Sequence, residues 1–280
     1  MEERSCRTYS NFGYAAENSD KNMPSPTSSS SAPDERSFIK SKPVPEAPHY
    51  LSFDLEIAKV IPGDFNQWKT CRPLGISCAA TQLDGEDPVV WYSSSNTDQV
   101  AMQMTTTDLE KLIAYLEDAV LHGHQILTWN GLGFDFDVLA EESGCWDRCS
   151  HLALNHIDMM FHFFCLKGFP LALDAAAKGL GLPGKPAGMT GANAPELWQR
   201  GAYQAVLDYV AQDARTTLAV AKAAIAHRGI NWTSKRGLFQ HVDLPAGWLP
   251  VSRANELPLP DTGWMSQPMK RSEYLAWTRK

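Results

Sequence analysis

The sequence predicts an α/β fold in which one mixed five-stranded sheet, three antiparallel strands followed by parallel ones, is flanked by helices. Three observations lead there. Early β-prone runs are joined by turn residues, later apolar strands alternate with helical patterns, and 44% of the 280 residues are apolar, enough for a sizeable core.

The first elements read as a meander. Residues 50–57 alternate apolar with polar or acidic side chains, residues 74–82 and 88–92 are further β-prone runs, and Asp84-Gly85 supplies a turn between them. Thr107 can cap a helix through Leu109, Leu112, Ile113, Leu116 and Val120, ended by Gly123. A short apolar strand at residues 125–129 leads to a turn at Asn130-Gly131 and a helix over residues 134–142, and residues 156–158 close a fifth strand. Further helices are expected over residues 174–180 and 195–227, the second interrupted near Gly201.

The flanks differ from this middle. Residues 1–48 are poor in aliphatic side chains and rich in Ser and Pro, too little apolar surface to offset ordering, so a disordered tail is expected there. The domain then spans residues 49–227. Beyond His227 periodicity fades and Pro, Gly and Trp accumulate, which suggests that residues 228–280 form an extended arm packed on the domain. The net charge of −7 divides unevenly: residues 49–227 hold 11 Lys or Arg against 21 Asp or Glu, and residues 228–280 hold eight against four. An acidic middle suits divalent cations and a basic end suits phosphates, although solvated surface charge explains the end equally well.

No run of eighteen apolar residues occurs and the first ten residues are polar, so neither a membrane span nor a secretory signal is expected. Six scattered cysteines in a chain too large to need stapling fit a reducing, cytoplasmic setting.

Asp54 and Glu56 stand two apart on the first strand, so both carboxylates leave the same face. Two anions side by side on a half-buried strand are costly unless a cation joins them, though such pairs also recur by chance. Asn130, Phe134 and Asp135 follow an apolar strand and lead into a helix, which brings an acid to the carboxyl end of the sheet. Asp137 competes for that role, but the helix turns it about 200° away. Tyr209 and Asp213 are four apart in a helical pattern and share one face. Taken alone, that pair is more simply a tyrosine at the edge of the core beside an exposed acid.

In this order, the Asp-x-Glu strand, the Asn-x3-Phe-Asp helix start and the Tyr-x3-Asp helix resemble the three exonuclease motifs of the DEDD superfamily, tyrosine subtype. Leu173-Asp174-x2-Ala176-Ala177-x-Gly179-Leu180-Gly181-Leu182-Pro183-Gly184-Lys185 is similar to a segment of prokaryotic stand-alone exonucleases related to the proofreading domain of family-B DNA polymerases. The resemblance covers about residues 50–227. It implies a ribonuclease H-like fold and 3'-5' exonuclease activity with two divalent ions, Mg²⁺ or Mn²⁺. Asp54, Glu56 and Asp213 would hold one ion, Asp54 with Asp135 the second, and Tyr209 would orient the attacking water. Hard carboxylates suit such ions, which stabilise charge at both ends of a phosphodiester displacement.

Such an enzyme takes single-stranded or frayed 3' ends, with DNA favoured and RNA open. Beside Asn130 and Phe134 at the site, Lys235, Arg236, Lys270 and Arg271 are candidates to track phosphates, and Trp232, Trp248 or Trp264 to stack on bases. Those tryptophans could equally do no more than pin the arm. A non-catalytic nucleic-acid-binding or assembly module that kept the fold is the alternative from another class. Cys145, Cys149, His151 and His156 lack regular zinc spacing, and Gly179 to Gly184 lacks the ending of a phosphate loop.

Overall fold

A computed structural model of the chain describes residues 49–95, 99–184, 188 and 190–279; the expected N-terminal tail lies outside them. Strands β1 (Tyr50–Ile57), β2 (Ile76–Leu83) and β3 (Val89–Trp91) form the antiparallel meander, and β4 (Gln125–Thr128) and β5 (Ile157–Asp158) extend it in parallel. The order across the sheet is β3-β2-β1-β4-β5. This is the mixed five-stranded sheet that the pattern of turns and helices predicts.

Alternation on β1 assigns each face. Phe53, Leu55 and Ile57 pack with Leu109, Leu112, Ile113 and Leu116 of α1 (Thr106–Leu121) and with Phe136 and Leu139 of α2 (Asp135–Ser143). Full burial of each such side chain contributes roughly 1.5–3 kcal/mol. On the other face α7 (Tyr203–Ala226) packs Val206, Val210 and Ala214 against Cys78 and Ala80 of β2. Those two small residues are the cross-strand partners of Glu56 and Asp54, so the neighbours of both acids are low enough for the helix to come close. A register shift between Glu56 and Ile57 bends β1 where the acids stand, a bulge of the kind that re-aims side chains beside active sites.

The structure departs from expectation in three places, the α1 cap, two additional helices and the C-terminal region. Thr105, not Thr107, caps α1, because its side chain accepts from the amide of Asp108 while the Asp108 carboxylate accepts from Thr105, Ser93 and Lys111. Two helices, α3 (Trp146–Asn155) and α4 (Met159–Lys167), precede α5 (Leu173–Gly179). Gly201, at φ 83°, separates α6 (Ala194–Gln199) from α7, where the sequence suggested an interruption. The C-terminal region is folded rather than extended: β6 (Gly229–Thr233) and β7 (Phe239–Asp243) form a hairpin, followed by short helices α8 (Val251–Ala254) and α9 (Arg271–Leu275). Its Trp248 indole donates to the carbonyl of Ala221 at 3.1 Å and its Trp277 indole to that of Leu132 at 2.7 Å, so both tryptophans are buried with their polar atoms satisfied. Among the described residues no helix is long and apolar enough to cross a membrane.

Candidate active site

Asp54 and Glu56 leave β1 toward α7, and Asp213 of α7 meets them: one carboxylate oxygen from each lies within 4.8 Å of the other two. Glu56 and Asp213 are each 5% exposed, and Asp54 is half-buried. At such separations each pair of charges repels by roughly 3–4 kcal/mol at an effective dielectric constant near 20. The donor set is all oxygen with no thiolate or imidazole, which fits a hard divalent cation.

Asp135 reaches the same place from α2. β4 pairs with β1 only at Tyr50, Leu51 and Ser52, so the sheet has opened beyond that point, and the amide of Leu55 donates to Asp135 Oδ1 at 3.1 Å. Burial pushes the Asp135 carboxyl up to about 7; the carboxylates of Asp158 and Asp213 push the same way, and the Leu55 amide opposes them. Asp137 points elsewhere, paired with Arg72 at 2.6 Å, so the two acids of this helix separate as their spacing requires.

Tyr209 is 4% exposed beside Asp213. Its phenol is raised well above the usual range by burial, then by the carboxylates of Glu56, Asp213 and Asp54, which keeps it neutral. All five residues line one cavity of about 350 Å³, together with Asn130, Phe134, Trp129 and Gly191.

The turn before α2 is held from beneath. Asn130 takes a left-handed φ of 75°, and its amide and those of Leu132 and Phe161 donate to the fully buried carboxylate of Asp158 at 2.9–3.0 Å. Phe134 contacts Trp68 edge-on at 4.9 Å and thereby ties the turn to the 3-10 helix Phe65–Cys71.

Other candidates lie elsewhere. Trp232 is 5% exposed and packs against Phe163 and Phe169, so it covers core and offers no face to a base. Lys235 and Arg236 sit at the exposed tip of the β6–β7 hairpin and line neither this cavity nor the groove beside it. Arg271 spends its guanidinium on the carbonyls of Asn255, Leu257, Pro258 and Cys165, because four converging carbonyls outbid solvent for its donors. His156 is hydrogen-bonded to Thr128 and Ala153 rather than gathered with Cys145 and Cys149. Among the described residues, Asp54, Glu56 and Asp213 are the group of three or more acids, histidines or cysteines placed to share an ion. Sequence reasoning passed over Trp129, although it directly precedes Asn130, and Gly191, whose loop shows no pattern.

The mixed five-stranded sheet flanked by helices is consistent with a ribonuclease H-like fold, here with an acidic centre. A family model described as the RNase_H superfamily matches residues 89–225, so β1 with Asp54 and Glu56 precedes the matched region. Among solved structures the chain is similar to the family B DNA polymerase from the hyperthermophilic archaeon Pyrobaculum calidifontis, at 15% identity and a TM-score of 0.47, over 66% of this chain and 25% of the polymerase. The likeness thus spans a quarter of that protein's length, and nothing of the polymerase's activity passes to this chain through it. No curated protein matches the sequence.

Proposed function

We propose that this chain is a metal-dependent 3'-5' exonuclease of the DEDD tyrosine subtype, acting on single-stranded or frayed DNA. The observation that supports it is the meeting of Asp54, Glu56 and Asp213 within 4.8 Å in a cavity also lined by Asp135 and Tyr209. Asp54, Glu56 and Asp213 would hold one divalent ion, and Asp54 with Asp135 a second. When bound, Mg²⁺ or Mn²⁺ ions supply the positive charge that stabilises the attacking and leaving oxygens of a phosphodiester.

The remaining work falls to the chain itself. Tyr209, held neutral, can donate or accept a hydrogen bond and so orient a water toward the phosphorus. Asp135, fixed by Leu55, and Asp213, fixed by α7, are presented without reorganisation when substrate arrives. No side chain needs to attack. The 3' direction and the preference for DNA rest on the motif resemblance, and the ribonuclease H-like fold agrees with nuclease chemistry.

The test is digestion of a 5'-labelled oligonucleotide. With Mg²⁺ or Mn²⁺ the wild-type chain should give a ladder shortening from the 3' end, on DNA faster than on RNA, and EDTA or Asp54→Asn should abolish it. Binding without metal-dependent product would defeat the enzymatic reading and leave a nucleic-acid-binding module.

A further inference from the structure

The cavity at the acids opens into a groove of about 1020 Å³ that shares Asp54, Tyr209 and Asp213 with it. Cavities that enclose a drug-sized ligand run to about 1,000 Å³, so the groove has room for more than the one nucleotide being cleaved. One wall is the 3-10 helix, where Lys69 lies over the Trp68 ring at 5.3 Å. The groove is lined further by Leu171 and, from the C-terminal region, by Met269 and Glu273. Trp129 also lines it, its indole held by a 2.8 Å hydrogen bond to the carbonyl of Leu171.

The C-terminal wall is firmly seated. Its Arg271 donates to four carbonyls at 2.6–2.9 Å, one of them Cys165 at the end of α4, and Tyr274 is buried against Phe161 and Phe164. Residues 269–274 lie beyond the region that the family model matches. Met269, 43% exposed, is an apolar surface at the groove.

We propose that residues 269–274 form a substrate wall that receives the bases of the nucleotides preceding the 3' terminus, while the phosphates run along the Lys69 side. Exposed Met269 suits the flat face of a base, and Lys69 suits the backbone. The inference rests on the nuclease reading and adds to it which part of the strand each wall holds.

The test is equilibrium binding by the full chain in Ca²⁺, with labelled hexathymidylate as probe and thymidine 5'-monophosphate as competitor. Met269→Glu should weaken hexathymidylate about fivefold or more, the lower end of what one stacked base is worth, and leave the mononucleotide within about twofold. Met269→Leu should restore hexathymidylate. Lys69→Gln should lower the slope of log affinity against log salt by about 0.7, the share of one phosphate. A purely structural role for the wall would weaken both ligands together, and that result, or hexathymidylate held equally by Met269→Glu and wild type, overturns the wall while the nuclease reading stands. A wild-type chain that holds no hexathymidylate overturns both.

Discussion

Tyr209 and the acids around it illustrate how much one side chain's surroundings decide. Burial and three nearby carboxylates keep the Tyr209 phenol un-ionised, and its proposed use is hydrogen bonding to water. Tyr209→Phe should lower kcat by about 10²-fold with KM little moved, and steady-state kinetics that show kcat intact would remove the phenol from the reaction. Two histidines make a separate prediction. His156 and His162 are held near 4 by burial, below the value of 6.5 that they have in the unfolded chain. The unfolded state therefore takes up protons first, and the stability present above pH 6.5 is lost as pH falls toward 4. Each histidine accounts for about 2 kcal/mol between pH 7 and pH 5. Urea melts at the two pH values should show a smaller loss for His162→Phe than for wild type; equal losses would show that His162 does not titrate in this window. Side chains whose direction follows from spacing were legible in the sequence: Asp54 with Glu56, and Asp135 against Asp137. Trp232 and Arg271 were not, because an indole or a guanidinium finds its partners through contacts that have no sequence period.

At the scale of elements, Gly179 shows how closely α5 must approach the C-terminal hairpin. A Cβ built there would stand 1.9 Å from the carbonyl oxygen of Asn231 in β6, a backbone atom that cannot swing away. Gly179→Ala should cost at least about 1–3 kcal/mol, read as a lowered urea midpoint at unchanged slope, and a neutral result would mean that the two elements are not in this contact. The meander and α7 were legible because their apolar residues repeat at periods of two and of three to four. The helix α4 was not: with seven of its nine residues buried it has no polar face to set a period. The α1 cap was misplaced by two residues because Thr105, Thr106 and Thr107 are chemically alike, and only Asp108, three beyond Thr105, closes the reciprocal hydrogen bonds. The β6–β7 hairpin escaped notice because its inward residues, Ile230 and Trp232, lie among prolines and glycines that read as loop.

For the whole molecule, the sheet order and the convergence of three distant segments place four of the 21 acids of residues 49–227 around one cavity. Bringing Asp54, Glu56, Asp135 and Asp213 together opposes folding unless cations offset the repulsion, so ions should stabilise the folded state. At a hundredfold excess over Kd one bound ion adds about 2.7 kcal/mol, and Mn²⁺ should raise the melting temperature of wild type by several degrees but that of Asp54→Asn little. The most direct measurement is calorimetric titration of Mn²⁺ into the metal-free chain. Two saturable sites in the wild type, both lost in Asp54→Asn and one of the two lost in Asp213→Asn, is the predicted result. Mn²⁺ uptake by either variant equal to that of wild type would contradict it.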